Sequence, residues 1–270
     1  MIARGEIDKI AAKHTIGAIE IEKDYVITWI LYGISQTEIL KDSIAFKGGT
    51  VLKKTYFEDY RFSEDLDFTL LNEDLSNKEI IELFKEAIEA SEEESGLRLI
   101  IDDEKVQTHE ASGSIKFYID YVAPLQGAMG SRHLKVDVTR GEIIEFDLEN
   151  RTVFADYSDI EEDFKVLCYS LSEVIIEKMT AMMGRTIPRD VYDLWYLFEI
   201  EGMDITHHNF EFERKAENKG HNPAEFQTKF DGKQNTYKRD WNASLANQIK
   251  DLPDFNQVVR ELNKHFRQLQ

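Results

Sequence analysis

The chain has 270 residues, of which 42% are hydrophobic, with 16 Phe and 11 Tyr, a composition that predicts a globular core and excludes a disordered chain. It has no apolar run of about 18 residues and its charged start lacks a signal core, so we expect no membrane span, no export and a cytoplasmic location. The net charge of −19 argues against broad binding of nucleic acid.

The first half of the chain alternates between helical and strand patterns. Residues 24–35 form a strongly apolar amphipathic stretch, which predicts a buried helix. Residues 44–47 predict a short strand that leads into Gly48-Gly49, and a helix over 51–56 and a strand over 66–71 follow. Ser76 and Glu79 have the spacing of a capping box, which opens a helix to about residue 93 that Gly96 ends.

Three more strands are predicted before the pattern changes, over 97–101, 115–121 and 134–138. From Ser170 onward the pattern is helical, with a second capping box at Ser170 and Glu173 and a helix that begins at Pro188. The sequence therefore predicts an α+β fold, a mixed sheet flanked by helices and followed by a helical C-terminal part. We place the domains at 1–160 and 161–270.

The most informative pair of residues is Asp65 and Asp67, which alternate with Leu66 and Phe68. Side chains two apart in a strand leave the same face, so both carboxylates share one face of the sheet. Like charges on one face repel each other. Two hard oxygen ligands suit Mg²⁺ or Mn²⁺, because these ions also bind the phosphates of a substrate.

A glycine turn lies shortly before this pair, at Gly48-Gly49-Thr50. Glycines allow the backbone to approach a phosphate closely, and the N-terminus of the following helix attracts anions. A turn of this kind joined to a D-x-D pair indicates phosphoryl or nucleotidyl transfer. A tight structural turn and a solvated strand edge are the plain alternatives for each half alone.

The two motifs together, GGT-x-L-x-K and then R-x-S-x-D-x-D, resemble the AbiEii/AbiGii-type nucleotidyltransferase toxins of the polymerase-beta-like nucleotidyltransferase superfamily. The resemblance implies a polymerase-beta-like core, NTP as substrate, and a divalent metal at Asp65 and Asp67. It also implies a group of nucleotide-binding residues in this region: Gly48, Gly49, Thr50, Arg61 and Ser63.

A later strand contributes Asp137, on the face opposite Val136 and Val138. An isolated acid in a strand is most often solvated. In polymerase-beta-like enzymes, however, a later strand often supplies a third carboxylate that binds metal and accepts the proton of the attacking hydroxyl. The resemblance therefore implies a catalytic role for Asp137.

The second motif lies in the helical half, where Lys178 sits in an apolar run and shares a predicted helical face with Arg185. A buried ammonium needs an anion, and a triphosphate would provide one. The plain alternative is surface salt bridging, worth about 0.3–0.5 kcal/mol per pair. The segment resembles the family's Lys, Arg and R-D-x-x-D-L motif, which implies phosphate-binding roles for Lys178, Arg185 and Arg189 and one essential aspartate, Asp190 or Asp193.

Taken together, the motifs predict a nucleotidyltransferase that releases pyrophosphate. The resemblance implies an RNA acceptor, with the 3′ end of tRNA as a candidate, and a toxin with a cognate antitoxin protein or a role in phage defence. A transferase that modifies a protein side chain and a non-catalytic nucleotide sensor are the two alternatives.

The charge distribution bears on the acceptor. From Glu211 onward there are 11 Lys and Arg against 9 Asp and Glu, so only this part of the chain is suited to dock a polyanion broadly. There, Lys238 and Arg239 with Tyr237 and Trp241 could contact nucleic acid. Packing of the two aromatic rings between helices is the alternative that we favour.

Overall fold

The computed structural model describes residues 1–269. The chain forms two compact units, residues 1–142 together with 148–169, and residues 143–147 together with the chain from Ser170 onward. In the described part of the chain, no helix has both the length and the apolar character needed to cross a bilayer.

The first unit is built on a mixed sheet, with eight strands among the residues described. They are β1 Ile44–Lys47, β2 Asp65–Leu70, β3 Arg98–Ile101, β4 Gln107–Thr108, β5 Ile115–Val122, β6 His133–Thr139, β7 Glu149–Thr152 and β8 Lys165–Cys168. The strand order is β3-β5-β6-β2-β1-β8-β7, and β4 pairs with β5. The pairs β2–β6 and β1–β8 are parallel and the others are antiparallel.

The helices of this unit are α1 Arg4–His14, α2 Ala18–Gln36, α3 Glu38–Ser43, α4 Gly48–Val51 and α5 Asn77–Ser95. Helix α5 covers an apolar face of the sheet, because Phe84 packs edge-on against Phe68 of β2 and Phe117 of β5, with ring centroids 5.8 and 5.1 Å away. The alternation predicted for β5 is confirmed, since Ile115 and Phe117 are buried with their period-two partners. The opposite face is left to polar side chains.

The local signals around α5 act as predicted. The Ser76 side chain accepts a hydrogen bond from the Glu79 N–H, and the Glu79 carboxylate accepts from Ser76 in return, which completes the capping box. Gly96 ends the helix in the left-handed region at φ 69°, where glycine carries no Cβ penalty.

The helix after the glycine turn begins earlier than predicted, at Gly48 and not at Val51. Lys47 has extended backbone and is the N-cap residue, so the strand passes into the helix without a loop. The segment ends in a π-helical turn, Leu52–Tyr56, where the Phe57 N–H donates to the carbonyl of Leu52.

The first unit extends beyond the predicted cut at residue 160, because β8 enters the sheet beside β1 with Phe46 opposite Cys168. The sequence pattern had not predicted β8 or its partner β7. Cys168 is a buried free thiol. Burial raises the pKa of this thiol to about 11, which makes it a poor nucleophile at neutral pH.

The second unit is helical, and its helices are α6 Leu171–Gly184, α7 Pro188–Trp195, α8 Asn209–Asn218, α9 Phe226–Leu245 and α10 Phe255–Phe266. Pro188 stands in the first turn of α7, as predicted. The second capping box is only half formed. The Ser170 side chain accepts from the Glu173 N–H, but the Glu173 carboxylate is buried and binds Lys215 and the N–H groups of Glu145 and Phe146 instead.

The two aromatic rings considered for nucleic-acid stacking are part of the helical core. Tyr237 is 0% and Trp241 is 3% exposed, and the indole N–H of Trp241 donates to the carbonyl of Pro253 at 3.0 Å. Their role is therefore packing between helices. The neighbouring side chains of Lys238 and Arg239 are exposed.

Candidate active site

Two parallel strands bring three aspartates to one face of the sheet. In the pairing of β2 with β6, Asp67 lies opposite Asp137 and Asp65 lies opposite Lys135. Residues directly opposite each other in a ladder project to the same side. Asp65, Asp67 and Asp137 therefore share one face, and all three are half-buried.

The glycine turn lies against the second of these carboxylates. Gly48 has φ +80°, and a Cβ atom there would lie 2.5 Å from Oδ2 of Asp67. No side chain can occupy that space without moving Asp67, so both the backbone angle and the close approach require glycine. The first N–H groups of the helical segment from Gly48 thus begin beside the carboxylate pair.

The hydroxyl groups of Thr50 and Ser63 bind the protein itself. Thr50 Oγ1 donates to the carbonyl oxygen of Asp65 at 2.5 Å and lies 2.7 Å from Ser63 Oγ, and both side chains are buried. These contacts fix the start of β2 relative to the glycine turn. Thr50 and Ser63 therefore help to position Asp65.

Arg61, the remaining member of this predicted group, is also buried. Its guanidinium group lies 5.7 Å from the ring centroid of Tyr60, and one N–H donates to the Phe62 carbonyl at 3.3 Å. The side chain therefore packs into the loop that precedes β2.

The lysine of the first motif also has a structural partner. Lys54 Nζ lies 2.9 Å from Oδ2 of Asp24, and the Tyr157 hydroxyl donates to the same oxygen at 2.7 Å. Burial by itself would raise the pKa of Asp24, but the charges of Lys54 and Lys53 and the hydrogen bonds from Lys54 and Tyr157 outweigh it, so the pKa lies below its ordinary value. This buried pair anchors the π-helical turn to α2.

The lysines on the polar face, among them Lys135 and Lys47, were not singled out from the sequence. Lys135 lies on the aspartate face of β6, with Nζ 2.5 Å from Oδ2 of Asp137. Lys47 is the last residue of β1 and lies opposite Asp67. Its Nζ atom lies 3.6 Å from Oε1 of Glu142. The period-two pattern of LKVDV would have placed Lys135 on the same face as Asp137.

The charges on this face affect Lys135 directly. Burial by itself lowers the pKa of Lys135. The hydrogen bond to Asp137 and the negative charges of Asp137, Asp65 and Asp67 act in the other direction and raise the pKa above its ordinary value. Lys135 is therefore a cation within the field of all three carboxylates.

The donor set fits a divalent cation that substrate phosphates help to hold. Asp65 and Asp67 supply hard oxygen atoms from one face, and one or two carboxylates are the usual protein contribution to Mg²⁺ sites. Within residues 1–269 no group of three or more His, Cys, Asp or Glu side chains forms a metal site. The carboxylate of Asp137 is paired with the ammonium of Lys135, so the two β2 aspartates are the candidate ligands.

The second unit contains a buried charge cluster on α6 and α7. Lys178 Nζ lies 3.3 Å from Oδ1 of Asp190 and 2.5 Å from Oδ2 of Asp193, and all three side chains are buried. The ammonium that sequence reasoning assigned to a triphosphate thus has two carboxylates of its own unit as counter-ions. Both candidate late aspartates contact it.

Arg185 completes this cluster with a bidentate ion pair to Asp190. Its Nε and Nη2 atoms lie 2.9 and 3.0 Å from the two carboxylate oxygens. Arg185 is the C-cap residue of α6 and has extended backbone. The prediction that it shares a helical face with Lys178 is therefore wrong. Arg189 is half-buried in the first turn of α7.

Comparison with known proteins identifies a family whose model matches most of the chain. The family model described as "Nucleotidyl transferase AbiEii toxin, Type IV TA system" matches residues 29–265. None of the curated proteins matches the chain.

Two solved structures illustrate the fold that the chain shares. MenT4, nucleotidyltransferase toxin Rv2826c from Mycobacterium tuberculosis H37Rv, is similar with a TM-score of 0.67 at 15% identity, over 100% of this chain and 90% of that chain. JHP933 from Helicobacter pylori is similar with a TM-score of 0.61 at 17% identity, over 94% of this chain and 93% of that chain. At such identities the likeness is one of fold.

Proposed function

Because the chain belongs to the AbiEii family, the nucleotidyl transferase toxins of type IV toxin–antitoxin systems, we propose that it moves a nucleoside monophosphate from an NTP to RNA in a metal-dependent reaction. The resemblance drawn from the two sequence motifs is thereby confirmed, and the family implies an antitoxin partner. The proposed acceptor is the 3′ end of tRNA, and the proposed biological setting includes phage defence.

One observation carries the catalytic part of the proposal. Asp65 and Asp67 share a sheet face with Asp137, and the backbone of Gly48 lies so close to Asp67 that a Cβ atom would come within 2.5 Å of its Oδ2. A glycine turn that begins a helix beside paired carboxylates supports binding of a metal-bound triphosphate.

The proposed metal ligands are Asp65 and Asp67, with Mg²⁺ or Mn²⁺ as the ion. Such an ion, when bound, neutralises charge on the phosphates and orients them. The N–H groups at Gly48 and Gly49 would hold phosphate oxygens. Thr50 and Ser63 would act indirectly, since their hydroxyl groups fix the start of β2.

The transfer itself is a substitution at the α-phosphorus. The oxygen of an acceptor hydroxyl forms a bond to this phosphorus, the bond to the bridging α–β oxygen breaks, and pyrophosphate leaves with that electron pair. We assign Asp137 to accept the proton of the attacking hydroxyl, because it stands opposite Asp67 on the neighbouring strand.

For the charge cluster of the helical unit we propose a role in product charge neutralisation. The family resemblance of this segment supports a phosphate-binding role for Lys178, with Arg185 or Arg189 in support. Asp190 and Asp193 would orient the ammonium.

The net charge of the protein bears most directly on the choice of acceptor. The net charge of −19 favours contact with the end of an RNA over contact along its length, because a polyanion is repelled by an acidic surface. The same charge favours a second candidate function, transfer to a protein side chain.

A labelling experiment tests the function. The purified protein with Mg²⁺ is given each NTP labelled at the α-phosphate or at the γ-phosphate, together with total tRNA or a tRNA-free cell extract. We expect label from the α-position only, on a product that ribonuclease destroys and protease leaves intact. Periodate oxidation of the tRNA removes the terminal diol, so the product should disappear with oxidised tRNA.

The controls separate the candidate functions. Asp65→Asn serves as the inactive protein. Label that protease removes and ribonuclease leaves would support the protein-modifying function, whereas label from the γ-position would contradict nucleotidyl transfer. Nucleotide binding without any transfer, in all acceptor mixtures, would favour the sensor.

A further inference from the structure

Lys135 is a residue of the polar sheet face that the proposed function does not yet use. It lies opposite Asp65 across the β2–β6 pairing, and two residues before Asp137 on its own strand. Its ammonium is 2.5 Å from Oδ2 of Asp137. The side chain is 35% exposed, so this contact is neither a deeply buried structural pair nor a fully solvated one.

The position of this ammonium matters because three carboxylates meet on the face. Like charges directly opposite in a ladder destabilise a sheet, and Asp67 stands directly opposite Asp137. A cation among them offsets that repulsion. The raised pKa of Lys135, which follows from the charges of all three aspartates acting against burial, is consistent with this placement.

The same contact decides which carboxylates can bind a metal. An ammonium at hydrogen-bond distance takes up an oxygen of Asp137 that would otherwise be available as a third ligand. A divalent cation that recruited Asp137 would have to displace the ammonium and would then be repelled by it at short range.

We propose that Lys135 is a positioning residue. Its ammonium binds the carboxylate of Asp137 as an internal counter-cation and thereby keeps Asp137 out of the metal site of Asp65 and Asp67. The inference rests on the proposed function and deepens it. Its consequence is a weak metal site in the absence of nucleotide, because only two protein carboxylates contribute. Metal binding is thus coupled to the arrival of substrate phosphates.

The test measures Mn²⁺ binding to the full chain without nucleotide. Binding is detected in electron paramagnetic resonance as the loss of the free-Mn²⁺ signal. Lys135→Met keeps the alkyl stem and removes the charge, so Asp137 becomes available as a third oxygen ligand. We expect Mn²⁺ to bind on the order of tenfold tighter or more, since affinity rises with the number of charged ligands. Lys135→Arg should retain the wild-type affinity.

Two controls isolate the contact. Lys116 lies on the same face, opposite Asp137 from the β5 side, so Lys116→Met makes the same charge change without removing the Lys135 ion pair and should alter Mn²⁺ affinity less than about twofold. The double variant Lys135→Met/Asp137→Asn should lose the gain, because the third ligand is absent. Circular dichroism verifies that each variant is folded.

The outcomes distinguish this inference from the proposed function. Mn²⁺ affinity in Lys135→Met that equals the wild-type value or falls below it, or a gain that survives Asp137→Asn, would overturn the role of Lys135. Nucleotide transfer by the wild-type protein is measured independently in the labelling experiment, and its failure would overturn the proposed function alone.

Discussion

Asp67 lies directly opposite Asp137 in the parallel pairing of β2 with β6. Two carboxylates in this relationship repel each other, at a cost of a few tenths to about 1 kcal/mol. A site of this kind is maintained against the stability of the sheet, which is the usual relation between stability and function. The first prediction follows from that cost.

Asp65→Asn and Asp67→Asn should each reduce nucleotide transfer by at least about 10²-fold, the scale expected when a preorganised charge is removed from a transfer site. Each should leave the free energy of unfolding unchanged or raise it by up to about 1 kcal/mol, because a repelling charge is lost. Transfer of label from α-labelled NTP and chemical denaturation measure the two effects. Near-normal transfer by either variant would contradict the metal assignment.

Gly48→Ala should be destabilising and inactive. The left-handed backbone at φ +80° costs a non-glycine residue of order 1 kcal/mol or more, and the new methyl group must in addition displace the carboxylate of Asp67. Gly220→Ala is the matched control, because Gly220 has φ +75° with no atom within 4 Å of an added Cβ.

The two glycine variants are compared by denaturation and by label transfer. Both should show the backbone cost, whereas only Gly48→Ala should lose activity. Equal stability losses together with equal, normal activity would show that the approach of Gly48 to Asp67 has no role in transfer.

Lys178→Met should destabilise the helical unit by about 3–5 kcal/mol, because it removes one partner of a buried ion pair and leaves the carboxylate of Asp193 without that counter-charge. This expectation differs from that of an ammonium that pairs only with substrate, for which the same variant would fold normally. Thermal unfolding of the metal-free protein without nucleotide measures it.

The double variant Lys178→Met/Asp193→Asn separates folding from catalysis. Removing both charges should restore most of the lost stability, since no uncompensated buried charge is left between them. Label transfer by the restored protein then reports catalysis alone. Normal transfer in this folded double variant would return the Lys178 cluster to a structural role.

His208 predicts a pH dependence of stability. Its Nδ1 lies 2.9 Å from the carbonyl oxygen of Asp204, which only accepts, so Nδ1 carries the proton and Nε2 accepts from Ser172 Oγ at 3.0 Å. Burial lowers the pKa of His208 below its ordinary value of 6.5. The unfolded chain therefore binds a proton more readily than the folded one.

The direction of the pH dependence follows from this difference in proton binding between the folded and unfolded chain. The stabilising contribution of neutral His208 is present above pH 6.5 and decreases as the pH falls from 6.5 toward the folded pKa. His208→Gln should reduce the slope of the unfolding free energy against pH in this range, as measured by urea denaturation. An unchanged slope would show that His208 does not titrate differently in the two states.

RNA modification should depend on exposed cations of the helical unit. Lys238→Glu/Arg239→Glu should weaken label transfer to tRNA and lower the slope of log K against log salt, since each phosphate contact contributes to that slope. Lys9→Glu/Lys78→Glu makes the same charge change at exposed positions of the first unit and should have less effect. Equal effects of the two pairs would indicate a general charge effect without a defined RNA contact.

Local interactions made several features readable from the sequence. The capping box of Ser76 with Glu79 and the glycine end at Gly96 depend on residues within one helix turn of each other. The common face of Asp65 and Asp67 follows from the two-residue period of a strand. Each of these depends only on neighbours in the chain, so each could be predicted without the rest of the molecule.

The tertiary structure alone decided which charges meet. The β2–β6 pairing joins segments far apart in sequence and sets Asp137 opposite Asp67 and Lys135 opposite Asp65. Packing of α7 on α6 gave Lys178 its counter-ions Asp190 and Asp193. Periodicity assigns a side chain to a face of its own element, but the partner across that face depends on strand order and helix packing, which non-local contacts determine.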